Sequence, residues 1–163
     1  METNQSNGFE IIPKTGVGNV RLGWTVEQVK EQFGVPNDEY EESYSDGKVA
    51  KILEYTALGM ELSFDEEDNF RLTCITVYNE TSTLFGIPII GLSETAFLER
   101  ISELTGSKPT IEDDADSFGK EYYVGSLEML FWIHDNKLIN ICILPKFDAE
   151  GNNPIWPEAA QND

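Results

Sequence analysis

A single histidine, His134, stands beside Asp135 and Asn136 in "FWIHDNKL". An imidazole can serve as a general base or metal ligand near neutral pH, but one alone needs help from carboxylates. No Ser-His-Asp or Cys-His arrangement can be drawn from the spacing, and the Asp-Asn neighbours mark a hairpin turn. His134 therefore reads as an exposed turn residue. The densest acidic cluster of the second half is Glu112, Asp113, Asp114 and Asp116 in "TIEDDADSFG". Such a group could hold a hard cation, and a calcium loop opening at Asp114 would want an oxygen ligand at 118 and Glu at 125. The chain offers Phe118 and Gly125, so the motif fails despite Gly119. Asp65, Glu66, Glu67 and Asp68 read as a solvated turn. A carboxylate pair for glycoside chemistry would have to be recognised by its separation, which this acid-rich sequence does not display. Gly16-Val17-Gly18 lacks the Lys-Ser/Thr of a phosphate loop and precedes a strand-like run. No catalytic, cofactor or metal residue is assigned, and no enzyme activity is expected.

The two cysteines, Cys74 and Cys142, each lie in an apolar, strand-like run. They read as small buried hydrophobes, with a mutual disulfide as the alternative if they occupy matching strands. Aromatic side chains crowd the second half: Tyr122, Tyr123, Phe131 and Trp132. Phe131 and Trp132 are adjacent, so on a regular strand one faces the core and the other the opposite face. Tyr and Trp are favoured anchors of protein interfaces. Tyr122 and Trp132 are therefore the expected partner-binding aromatics, with Glu112, Asp113, Asp114 and Asp116 as an acidic rim.

The formal net charge is −19, from 30 acids against 11 Lys and Arg. It is even along the chain, with 16 acids and 6 bases in residues 1–80 and 14 and 5 in residues 81–163, hence −10 and −9. A field of this sign repels nucleic acid and anionic membranes and speeds encounter with a basic protein; it also serves solubility. No apolar run approaches the roughly 20 residues of a membrane helix. The opening "METNQSNGFE" has neither the basic nor the apolar region of a secretory signal, so the cytoplasm is the expected compartment.

These residues have to be positioned by a small set of elements. Thr25 and Gln28 form a capping box ahead of Val26, Val29 and Phe33, which share a helical face ending at Gly34 and Pro36. Asp46-Gly47 marks a hairpin, and a second hairpin turns near 65–69. Its last strand alternates, with Phe70, Leu72, Cys74 and Thr76 expected on one face and Arg71, Thr73, Ile75 and Val77 on the other. Ser93 caps a second helix carrying Phe97, Ile101 and Leu104, closed by Gly106 and Pro109. Four further strands follow, and the tail after Lys146 is turn-rich and expected to be irregular.

The order repeats. "LGWTVEQVKEQFG" from Leu22 and "IGLSETAFLERIS" from Ile90 share a pattern at an offset of 68, which also pairs Tyr55 with Tyr123, Phe64 with Trp132, Cys74 with Cys142 and Ile75 with Ile143. A duplication would make the chain α+β: two tandem helix plus antiparallel β-meander repeats with a continuous or paired sheet and helices on one face. The expected divisions are an N-terminal segment 1–14, repeat 1 at 15–80, repeat 2 at 81–147 and a tail 148–163.

The segment "VRLGWTVEQVKEQFGVPND" resembles the opening of the small repeat of β-lactamase inhibitor proteins and of outer-membrane-assembly lipoproteins. Leu22, Gly23, Trp24, Thr25, Val29, Phe33, Gly34 and Pro36 match that pattern, while the second copy departs at Gly106 and Pro109. "LFGIPIIGLSETAFLERIS" is similar, more loosely, to segments of predicted bacterial immunity proteins. The resemblance implies a non-catalytic protein-binding module, an immunity-type inhibitor that covers a toxin by stoichiometric binding, with a housekeeping or assembly scaffold as the alternative. The implied partner is a basic protein, with no nucleic acid and no membrane. Lipid anchoring is not expected to carry over, since the opening residues do not read as the lipoproteins' signal and lipidated cysteine.

Overall fold

The Thr25 hydroxyl accepts the Gln28 amide at 3.2 Å, and the Gln28 side-chain oxygen accepts the Thr25 amide at 2.8 Å. This reciprocal cap satisfies two otherwise orphaned donors and starts helix α1 (Val26–Phe33). Val26 and Val29 are buried, and Phe33 packs edge-on against Tyr55 at 5.4 Å. Gly34, at φ 83°, ends the helix by donating to the Lys30 carbonyl. Ser93 caps α2 (Glu94–Thr105) through the Ala96 amide at 3.2 Å; Phe97 and Ile101 are buried, and left-handed Gly106 closes it. The computed structural model describes residues 9–114 and 119–157, with 112–114 as backbone only.

Strands make up most of the rest. The first lead-in forms β1 (Glu10–Ile12), β2 (Gly16–Val17) and β3 (Val20–Arg21). After α1 come β4 (Asp38–Ser43), β5 (Val49–Tyr55), β6 (Met60–Asp65) and β7 (Arg71–Val77), and the second lead-in gives β8 (Thr83–Leu84) and β9 (Ile87–Pro88). After α2 come β10 (Thr110–Asp114), β11 (Lys120–Val124), β12 (Met129–His134) and β13 (Lys137–Ile143), then β14 (Lys146–Phe147) and β15 (Pro154–Ile155). An eight-stranded antiparallel sheet runs β10-β11-β12-β13-β7-β6-β5-β4, and a five-stranded sheet runs β3-β2-β1-β8-β9. In the smaller sheet β1 and β8 are parallel, with Ile11 opposite Leu84.

The inner face of the large sheet carries Leu53, Leu62, Phe64, Ile75, Val77, Phe131, Ile141 and Ile143. Against them lie Val26, Val29, Phe97 and Ile101 of the helices and Ile11, Val17, Val20 and Leu84 of the small sheet, in one apolar cluster. Phe97 is central, with ring centroids 5.0 Å from Phe131 and 5.6 Å from Tyr122.

This corrects the expected α+β class of two helix-plus-meander repeats. Of the described residues 44% are in strands and 16% are helical, in three sheets that are mainly antiparallel. The physical reason is one of cover. Eight strands span about 34 Å across the hydrogen-bonding direction. Helices of 8 and 12 residues are only about 12 and 18 Å long. The Gly-punctuated lead-ins, too short to help as helices, pair with each other as a second sheet. What remains of the repeat is a likeness at a few residues. Gly23 donates to the Leu72 carbonyl and Leu72 to that of Trp24, each at 2.8 Å; Gly91, Leu138 and Leu92 repeat the exchange at the same distance, with Gly91 and Leu92 at the offset of 68 and Leu138 at 66 from Leu72. Ile75 faces Ile143 across the β7–β13 pairing.

Three local expectations change as well. A bulge after Ser63, which is opposite Cys74 while Phe64 is opposite Leu72, breaks the alternation of β7. Leu72 consequently joins Ile75 and Val77 in the core, while Cys74 and Thr76 face outward. The cysteines are half-buried on that outer face rather than core hydrophobes, and they are joined as the disulfide Cys74–Cys142, with Cα atoms 6.4 Å apart. The described part of the tail, up to residue 157, carries the β14–β15 hairpin and Trp156, whose ring lies over Gly23 where a Cβ would come within 3.0 Å of it. The turns stand as read: Gly47 and Asn69 have positive φ, as do Asp135 and Asn136 beside His134.

Candidate functional site

Strand alternation sends every second residue of the large sheet away from the core. On the outer face of β4 this presents Asp38, Tyr40 and Glu42, opposite Glu54, Ile52 and Ala50 of β5. Glu54 and Ile52 are in turn opposite Glu61 and Ser63 of β6. All six residues of β4 are exposed, as suits an edge strand protected by charge. The β14–β15 hairpin overhangs this region and makes one wall of a cleft of about 520 Å³. Glu42, Tyr44, Glu61 and Asp65 line the sheet side and Phe147 the hairpin side, and no Lys or Arg is among the lining residues described.

The hydroxyls and carboxylates of this face are interlinked. Tyr44 donates to Asp65 at 3.0 Å, and Tyr78 donates to Glu54. Burial pushes the Glu61 carboxyl above its ordinary range, and the facing Glu54 and nearby Glu42 push it further. The Tyr78 hydroxyl is raised by burial and by its bond to Glu54, so it is a firm donor at neutral pH. Tyr40, Tyr44 and Phe147 are exposed aromatic rings set among these acids. Chemically, the patch is a negative surface with apolar anchors. Its acids repel one another, which a cationic group laid among them would relieve. Among the described residues no three His, Cys, Asp or Glu side chains converge to hold a metal ion.

The residues expected from sequence are dispersed. Trp132 does lie half-buried on the outer face, opposite Asn140 on one side and Glu121 on the other. Tyr122 does not: it is 5% exposed, packed on Phe97, with its hydroxyl 2.5 Å from Glu94. Its pairing with Phe131 puts both in the core, and Tyr123, opposite Leu130, is the tyrosine that shares the face of Trp132. Glu112, Asp113 and Asp114 lie on the edge strand β10, with Asp113 opposite Glu121 and Asp114 opposite Lys120. Asp116 lies outside the described residues. His134 is exposed at the end of β12, opposite Lys137, at the far end from the cleft's β4–β6 wall. The acids and rings of β4–β6 went unassigned from sequence. The signal was present as the two-residue period of "DEYEESY" and of "ELSFD", which places Tyr40, Glu42, Glu61 and Asp65 outward once a strand is drawn.

Comparison with family models, characterised proteins and solved structures returns no match. The geometry of the outer face therefore carries the functional reading.

Proposed function

We propose that this chain is a non-catalytic protein-binding module that docks a basic partner on the outer face of its large sheet, and that it acts as an immunity-type inhibitor, neutralising a toxin by stoichiometric occlusion. The observation that carries this is the cleft under the β14–β15 hairpin, where Glu42, Glu61 and Asp65 meet the exposed rings of Tyr44 and Phe147. Acids of one sign steer a basic protein into encounter, and aromatic rings at the centre supply buried contact. The inhibitor-like "VRLGWTVEQVKEQFGVPND" is consistent with the same role. On this reading the chain covers an active site and performs no reaction. Trp132 and Tyr123 extend the surface.

The test is crosslinking in the native cell followed by reconstitution, using wild type and the variant Glu42→Gln/Glu61→Gln/Asp65→Asn. The expected result is a basic enzyme bound at one to one, its activity falling in proportion to added chain, with the variant binding more weakly. An enzyme bound equally by both proteins would sink the assignment of the face. A partner bound at one to one whose activity is untouched would favour the housekeeping or assembly scaffold instead.

A further inference from the structure

The eight-stranded sheet has a seam. Most neighbouring strands pair over nearly their whole length, but β7 and β13 pair only through Ile75–Ile143, Thr76–Cys142 and Val77–Ile141. Beyond Ile143 the pairing with β7 stops: the Leu144 amide still bonds on the β12 side, to the Glu128 carbonyl, and Pro145 has no amide to offer. On the inner side the seam is sealed by Ile75, Val77, Ile141 and Ile143, all fully buried. On the outer side it carries Thr76 and Asn140, which contribute little apolar packing, and the disulfide between Cys74 and Cys142. Both cysteines are half-buried, and Cys74 also lines the cleft, so the bridge meets solvent from the open face.

We infer that the Cys74–Cys142 bridge is the covalent fastener of this seam, made in an oxidising compartment, and that its reduction loosens the seam locally while the two four-stranded halves stay folded. Disulfides persist in oxidising compartments and are rare where thiol reductants dominate, so the bridge argues against the cytoplasm expected from the opening residues. Its formation is a thiol–disulfide exchange with an oxidised dithiol oxidoreductase. One cysteine thiolate attacks the oxidant's disulfide and releases one of its thiolates; the second cysteine thiolate then attacks the first cysteine's sulfur in the mixed disulfide, forming the bridge and expelling the oxidant's other thiolate. Two protons and two electrons leave the chain, and the oxidant becomes a dithiol. The bridge joins the two halves directly at their short pairing, where Cys142 stands opposite Thr76 and Cys74 lies one strand repeat further along β7, so the seam cannot part without straining it. The inference does not depend on any partner.

Hydrogen exchange on the full chain tests it, comparing the oxidised protein, the protein in dithiothreitol and the variant Cys74→Ala/Cys142→Ala. Amides of 75–77 and 141–143 are expected to exchange at least about tenfold faster without the bridge, while those of β5 and β12 change far less. Unchanged exchange at the seam would show the bridge to be idle, and uniform acceleration throughout would show a global staple rather than a local fastener; either overturns the inference. Alkylation of thiols before lysis of the source cell gives an independent reading. Both cysteines blocked from alkylation is the expected state, and two alkylated thiols would overturn the compartment.

Discussion

Tyr122 and Glu61 show how one position along a strand decides whether a polar group is structural or available. Tyr122 shares the inner face with Phe131, and its hydroxyl is taken by Glu94, which Lys120 also approaches at 3.0 Å. The Tyr122 hydroxyl holds the Glu94 carboxyl below its ordinary range, against an opposing effect of burial and with help from Lys120. Because the folded-state value is depressed, this stabilisation is present above the ordinary carboxylate range and is lost as pH falls through the folded value. Tyr122→Phe is expected to cost about 1–2 kcal/mol at neutral pH, with the difference from wild type shrinking in acid, as urea unfolding at several pH values would show. Glu61 has the opposite sign. Its value is raised, first by burial and then by Glu54 and Glu42, so the folded state holds the proton more tightly than the unfolded chain. Stability therefore falls as pH rises from the ordinary carboxylate range to the raised value. Glu61→Gln, which removes a like charge directly opposite Glu54, is expected to stabilise by roughly 0.2–1 kcal/mol at neutral pH and by nothing below the ordinary carboxylate range. A destabilised variant at neutral pH would show that Glu61 is held by a favourable partner.

At the scale of elements, caps and turns were legible because each is a local bargain between a side chain and its own backbone. Thr25 with Gln28, Ser93 with Ala96, and the Asp46-Gly47 and Asp135-Asn136 turns need only neighbours in sequence to form. Thr25→Ala is accordingly expected to cost about 1 kcal/mol, measured as a lower urea midpoint with an unchanged slope. What local reading missed is set between elements. The bulge in β7 appears only when Ser63 and Phe64 choose their partners, and it moves Leu72 inward. The face of Tyr122 likewise follows from its pairing with Phe131; "KEYYV" alone allows either tyrosine to point outward. The β1–β8 pairing joins lead-ins that are more than seventy positions apart, so no turn signal could announce it.

At the scale of the whole molecule, charge and topology combine. The formal charge of −19 acts in every direction, but the sheet gathers Glu42, Glu54, Glu61 and Asp65 on one face with tyrosines between them. Association with a basic partner is expected to slow steeply as salt rises, by stopped-flow, and Glu42→Gln/Glu61→Gln/Asp65→Asn is expected to flatten that dependence. Equal salt slopes for variant and wild type would mean that the steering charge lies elsewhere. By itself the sequence determined the helix caps, the hairpin turns, an offset of 68 that pairs Cys74 with Cys142, and the sign of the surface, because these depend on near neighbours, residue types or simple addition. Only the tertiary structure decided the mainly β class, the bridge between those cysteines, the inward turn of Tyr122 and the gathering of acids under the β14–β15 hairpin. Each of these depends on which distant strands become neighbours and in what register, and a shift of one residue there turns every side chain to the other face.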